Sequence, residues 1–329
     1  MKKKFAVALL FMFFSFALFS EDLNDEHIKK SEILVTSVLD FVDQKDLTDF
    51  GIKTFIRKHG ELEVYDLGFG LKKNSSFFSS PYMCFLVDYV SYRNTPCKFV
   101  VRLDDYYFRM IEKKLDEKVL KRFQEKFSKE ETVYPPCYEV DSDGNVSIQE
   151  RFIYKFVREF PQGVKKYSEH KEKLVGASEK ISLPKESQKY YDFLCSAEEQ
   201  TDYGDFGYLG GEKPAGRIAM ENLIKLNDKN VFINILKGDN PCGRIYAAEG
   251  LLRLENSQKN VDLINKIFAP LVRGRIKYGT IDGCYADFEK YKLYKYDKNL
   301  SFPKIEEDLP SITKETKPEF NLDFLYDLQ

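Results

Sequence analysis

Apolar residues recur at helical spacing in the first stretch past residue 24. Ile28, Leu34, Val35, Val38, Leu39 and Val42 share one face and predict a helix over 25–41. A second short helix is expected over 47–58, stopped by His59-Gly60. The period then changes to two. Leu62, Val64 and Leu67 alternate with polar residues, and 83–92 and 98–103 are rich in aromatic and β-branched residues. Arg93-Asn94-Thr95-Pro96 between the last two is turn chemistry, so 83–103 reads as a hairpin in which Cys84 and Cys97 do not face each other. Asp104-Asp105 can cap the long helix that follows, with the stripe Phe108, Ile111, Leu115, Val119, Phe123 and Phe127. These elements predict an α+β domain over 21–132, with helices on a small antiparallel sheet.

Tyr134-Pro135-Pro136 ends that unit. A connecting segment over 133–184 holds a candidate hairpin, then an apolar-aromatic run (Phe152, Tyr154, Phe156, Val157, Phe160), then a very polar stretch. From 185 to 300 helical periodicity returns. Near its end, 272–280 reads as a strand or extended return, Asp282-Gly283 as a turn and 291–296 as an edge strand. The tail, 301–329, carries Pro303, Pro310 and Pro318 and finishes on an apolar cluster over 320–328.

Within 185–300 the chain repeats itself. Pro214-Ala215-Gly216-Arg217-Ile218 returns as Pro241-Cys242-Gly243-Arg244-Ile245, and Leu223-Ile224-Lys225-Leu226 as Leu251-Leu252-Arg253-Leu254. Each copy opens with Pro, continues as one apolar helix stripe and is followed by a second helix (Val231, Phe232, Ile235, Leu236, then Leu263, Ile264, Ile267, Phe268). Two helices apolar on one side must stack on a neighbour to bury it. Over about residues 213–268 this resembles the HEAT-like family of α-helical hairpin repeats. The resemblance implies stacked helical hairpins and a protein-interaction surface on the stack, with Ser187 to Ala197 as the remnant of a first unit. The other reading is a compact helical subdomain carrying one duplicated hairpin.

The N-terminus changes the setting. Lys2-Lys3-Lys4, an uncharged apolar run from Phe5 to Phe19, and Ser20 before Glu21-Asp22 form a secretory signal peptide over 1–20. The run is short for a membrane span, and an uncleaved anchor is the alternative. No Cys stands near the cut, which argues against a lipoprotein. Removal of the leader takes the formal charge from −2 to −5. A mildly acidic exported chain is a poor nucleic-acid binder, and no polybasic membrane surface is visible. Six cysteines (84, 97, 137, 195, 242 and 284) bound for an oxidising place allow 15 pairings. With no C-x-x-C among them, a zinc knuckle or thioredoxin-type site is disfavoured. Several lie among apolar residues, as in Tyr82-Met83-Cys84-Phe85-Leu86, where a buried free thiol fits equally well, so one or two disulfides at most are expected.

Chemical motifs are few. Glu139-Val140-Asp141-Ser142-Asp143-Gly144-Asn145-Val146-Ser147-Ile148-Gln149-Glu150 matches an EF-hand-like calcium loop in its acids at positions 1, 3, 5 and 12 and its glycine at 6. The same residues also read as a β-hairpin turning at Asp-Ser-Asp-Gly. Asp205-Phe206-Gly207 lacks every companion of a kinase triplet, and Gly68-Phe69-Gly70 lacks the third glycine of a nucleotide site and reads as a strand bulge. His27, His59 and His170 stand in polar surroundings outside any nucleophile or metal motif. Asp104-Asp105 and Glu306-Glu307 fit capping and solvation better than paired-carboxylate chemistry. Arg217 and Arg244, matched in the repeat, either line a concave surface or bond to helix ends. No catalytic residue, cofactor or metal ligand set emerges. The reading is an exported, periplasmic or secreted bacterial protein, non-catalytic, serving as an interaction or envelope-scaffold module with a protein partner. The alternatives are a calcium-dependent adhesive protein working through 139–150 and a hydrolase with an unrecognised site.

Overall fold

The first helix, α1 (Asp25–Val42), opens where Asn24 accepts the amides of Glu26 and His27, and α2 (Asp49–His59) opens where the Thr48 hydroxyl accepts that of Gly51. Their apolar faces meet through a parallel stack of Phe41 on Phe55, ring centroids 3.7 Å apart. The structure is a computed structural model describing residues 24–133, 137–140, 146–149, 152–199, 202–205, 213–282 and 285–296. These all lie in the first of two compact units, Met1–Lys298; the second, Asn299–Gln329, falls outside them together with the expected signal peptide and tail.

The period-two stretches form β1 (Glu63–Gly68), β2 (Leu71–Ser80), β3 (Met83–Tyr92) and β4 (Thr95–Asp104). Arg93 and Asn94 take positive φ as the two-residue turn between β3 and β4, matching the twist of the strands they join. After β4 come α3 (Asp105–Ile111), α4 (Glu117–Lys126), β5 (Ser128–Glu131), the hairpin β6–β7 (Cys137–Val140, Val146–Gln149) and β8 (Phe152–Glu159). One antiparallel sheet results, in the order β1-β2-β3-β4-β8-β5. On its first face α1 to α4 bury Val35, Leu39, Ile52, Phe108 and Phe123 against Phe78, Phe85, Tyr89, Phe99 and Val101.

The second face receives α5 (Pro161–Val175) and the helical part: α6 (Lys185–Cys195), α7 (Ala215–Ile224), α8 (Lys229–Leu236), α9 (Pro241–Leu254) and α10 (Gln258–Arg273). α5 lies so near the β3–β4 turn that a Cβ on Gly163 would fall 1.7 Å from the Pro96 carbonyl oxygen. The repeated segments are both helical and adjacent: α7 packs on α9, and α8 and α10 are their followers. Residues 242–252 of α9 are all buried beneath α6, α7, α8, α10 and β9 (Lys277–Asp282), which pairs with β10 (Tyr285–Lys290). At Gly243 a Cβ would meet the Leu194 carbonyl oxygen at 1.9 Å, so glycine there sets how closely α9 approaches the end of α6. The fold is mixed α+β, with a six-stranded antiparallel sheet followed by helices.

Four features differ from the sequence reading. β2 was not expected and lies inside the sheet, between β1 and β3. The single helix expected after Asp104-Asp105 is two, because Asp116 caps a new start by accepting the Lys118 amide. The run 152–159, placed in a connecting segment, is a strand inside the main sheet. Residues 291–296 are not a strand: Tyr294 exchanges bonds with the Asn265 side chain, and Tyr291 packs edge-on against Phe268 and donates to the Pro241 carbonyl.

Candidate functional site

Three places concentrate polar chemistry. The first is the open groove of about 470 Å³ between α1 and α2, floored by Phe41 and Phe55 and rimmed by Glu32, Asp40 and Lys58. Ile33 stands at its side, 62% exposed. The Ser37 hydroxyl, also on the lining, lies 3.0 Å from His59 Nε2. The imidazole packs against Phe55 and Phe78, and burial, with Lys58 adding to it, pushes its pKa down, so the ring is neutral at pH 7. These are two of the three members of a hydrolytic triad. Among the described residues no carboxylate bonds to His59, so nothing orients the ring as a catalytic base requires. Ser37 and His59 tie α1 to α2.

The second place lies under the sheet. Asp88, fully buried in β3, accepts from the Ser75 hydroxyl and the Arg102 guanidinium, with Lys73 Nζ 4.0 Å away. Arg102 also donates to the Glu198 carbonyl at 2.5 Å and to the Glu199 carboxylate at 3.0 Å. Lys98 reaches Glu198 at 2.6 Å, and Lys155 reaches Glu199 at 3.3 Å. Burial pushes the Glu198 carboxyl up, yet the Lys98 and Lys155 ammoniums outweigh it and hold the group below its ordinary value. The network fastens the segment after α6 to the sheet. A charged residue inside otherwise apolar strands, as in Val87-Asp88-Tyr89 and Val101-Arg102-Leu103, was the signal for it.

The third place is the pair of matched arginines. Arg217 Nε donates to the Gly204 carbonyl at 3.1 Å, and Arg244 Nε to the Gly238 carbonyl at 2.9 Å; each bonds a preceding glycine, but at separations of 13 and 6 residues that the repeat does not match. Arg217 continues to Glu249 on α9 and to Asp205. Arg244 continues to the Leu67 carbonyl on β1 and lies over the Phe69 ring. Both are buried, so neither lines a concave surface. Nor does the stack present its inner helix, since α9 is enclosed.

The remaining candidates fall as follows. Of the calcium loop, 141–145 and 150 lie outside the described residues. Its flanks pair as a hairpin, Val140 with Val146, and strand β8 stands where the exit helix of an EF-hand would be. The described flanks follow the hairpin alternative. Among the described residues no group of three His, Cys, Asp or Glu converges on a metal position. Asp104 caps α3 through the Tyr106 amide, and Asp105 pairs with Arg109 and Lys129. Gly68-Phe69-Gly70 forms the β1–β2 turn with a bulge beside it. His27 lies edge-on to Tyr82, and His170 is beside Tyr92. Cys84, Cys97, Cys195 and Cys242 are free thiols. Burial lifts Cys84 and Cys97 to about 11 and Cys195 to about 12, so these thiols are protonated and poor nucleophiles. Among the described residues no helix is long and apolar enough to cross a membrane.

Comparison with known proteins returned nothing: no family, curated protein or solved structure matches the chain.

Proposed function

We propose that this chain is an exported, non-catalytic protein-interaction module of the bacterial envelope, with its helical part a short HEAT-like stack. The observation that carries the reading is the character of the groove between α1 and α2. The α1–α2 groove is open rather than enclosed, aromatic at its floor and charged at its rim. Small-molecule sites bury most of their ligand; this one suits a segment of another protein. The adjacency of α7 and α9 supports the repeat, and the basic, apolar leader supports export. The enclosure of α9 moves the contact surface from the stack to the sheet and its N-terminal helices.

The test is native capture from envelope extracts with the wild-type protein and with Ile33→Glu, an exposed substitution that leaves the core intact. A protein partner retained by wild type and lost with the variant is expected. Capture of nothing, or equal capture by both, contradicts the groove as the contact surface. A hydrolase reading would rest on Ser37 and His59, and a fluorophosphonate probe that labels Ser37 would favour it over binding.

A further inference from the structure

The sheet has two edges, and they are finished differently. On β5, Lys129 pairs with Asp105 at 2.9 Å, Glu131 with Lys189 at 2.5 Å and Glu130 with Lys155 at 3.8 Å. Each charge on that edge is neutralised within the chain. Just before and on β1, Glu61, Glu63 and Asp66 are exposed and have no ion-pair partner among the described residues. Glu63 only accepts from the neighbouring Tyr65 hydroxyl, and Asp66 from the Gly68 amide. Among them Val64 stands 57% exposed. Among the described residues no strand pairs with the outer side of β1.

An open edge with an apolar residue is what soluble proteins blunt, with cationic or proline residues, bulges or a covering element. Here the flanking charges are of one sign and make no ion pair among the described residues. The register puts Glu63 and Tyr65 on the α5 face, opposite Ser75 and Lys73, and Val64 and Asp66 on the α1–α2 face, opposite Asn74 and Lys72. A strand added antiparallel outside β1 meets Asp66, Tyr65, Val64 and Glu63 in turn. We infer that this edge takes an extended segment of a partner protein, with basic residues opposite Asp66 and Glu63 and β-branched or aromatic residues between. Main-chain bonds would supply affinity and the alternating side chains specificity. A second copy is the weaker occupant, because pairing all four residues antiparallel sets Glu63 against Asp66 twice, and like charges directly opposite destabilise. The inference deepens the interaction reading and rests on it. Lys58 of the groove is only five residues before Glu63, so one partner can span both.

Two synthetic probes test it on the purified protein: a capped eight-residue peptide centred on Lys-Tyr-Val-Lys, and the same peptide with Glu at both lysine positions. The lysine peptide is expected to slow amide exchange at 63–66, to weaken with salt, and to bind at least about tenfold tighter than the glutamate peptide, or about 1.4 kcal/mol. Glu63→Lys, at an exposed position, should erase the preference, and Glu63→Lys/Asp66→Lys should reverse it. Equal binding of the two peptides, no binding of either, or protection confined to other strands overturns the inference. So does a wild-type dimer, seen by sedimentation, that pairs through 63–66. A partner captured equally well by wild type and Glu63→Lys removes the docking edge and leaves the interaction reading standing.

Discussion

Replacing Arg102 with Met tests whether the buried ion network holds the helical part to the sheet. The substitution keeps the aliphatic stem and removes three contacts at once: to Asp88, to the Glu198 carbonyl and to the Glu199 carboxylate. Asp88 is then left at zero exposure with only the Ser75 hydroxyl as donor and Lys73 4.0 Å away. Breaking a buried pair by removing one partner costs about 3–5 kcal/mol, because the abandoned charge stays desolvated. At about 2–4 °C per kcal/mol for a large domain, the melting temperature should fall by roughly 6–20 °C. Urea unfolding followed by circular dichroism measures the loss. The double variant Arg102→Met/Asp88→Asn removes the orphan and should recover about half of it or more. Loss below about 1 kcal/mol in the single variant, or a double variant no better than the single, refutes the reasoning.

The Asp202 carboxyl is lifted by burial to about 6 from an ordinary value of 3.8, so its ionised form opposes folding above pH 6 and this penalty fades as pH falls toward 4. Asp202→Asn should therefore stabilise the protein at pH 7.5 by up to about 3 kcal/mol and leave it unchanged near pH 4; a difference independent of pH contradicts this. Gly243→Ala drives a methyl into the Leu194 carbonyl and should cost about 1–3 kcal/mol in urea unfolding, with exchange protection lost at the junction of α6 and α9. If the leader directs export as proposed, mass spectrometry of the protein recovered from its host should find Glu21 as the first residue; an intact Met1 or an anchored form contradicts cleavage.

The sequence was most legible where burial is one-sided. α1, α2 and the β3–β4 hairpin follow directly from apolar periodicity, and the Arg93-Asn94 turn from its residue types. β2 escaped because its middle reads Lys72-Lys73-Asn74-Ser75-Ser76, with no apolar alternation. Three of those side chains, Lys73, Asn74 and Ser75, are buried against polar partners in neighbouring strands, which no local pattern announces. The break at Asp116 was hidden because the stripe from Phe108 to Phe127 keeps its spacing across two helices and buries into one core. Helical periodicity located α9 but not its enclosure, which depends on which neighbours arrive on its other sides. The Ser37 and His59 contact joins two helices through residues 22 apart, and the second-face network joins strands to residues about 100 further along the chain. Such pairings are set by tertiary structure alone.

The most direct test of the account is capture from native envelope extracts with three proteins of equal stability: wild type, Ile33→Glu and Glu63→Lys. The account predicts a protein partner held by wild type and weakened by the substitutions in the groove and on the β1 edge. Turnover of a hydrolase substrate by the wild type that is abolished by Ser37→Ala, with no partner retained, would contradict it.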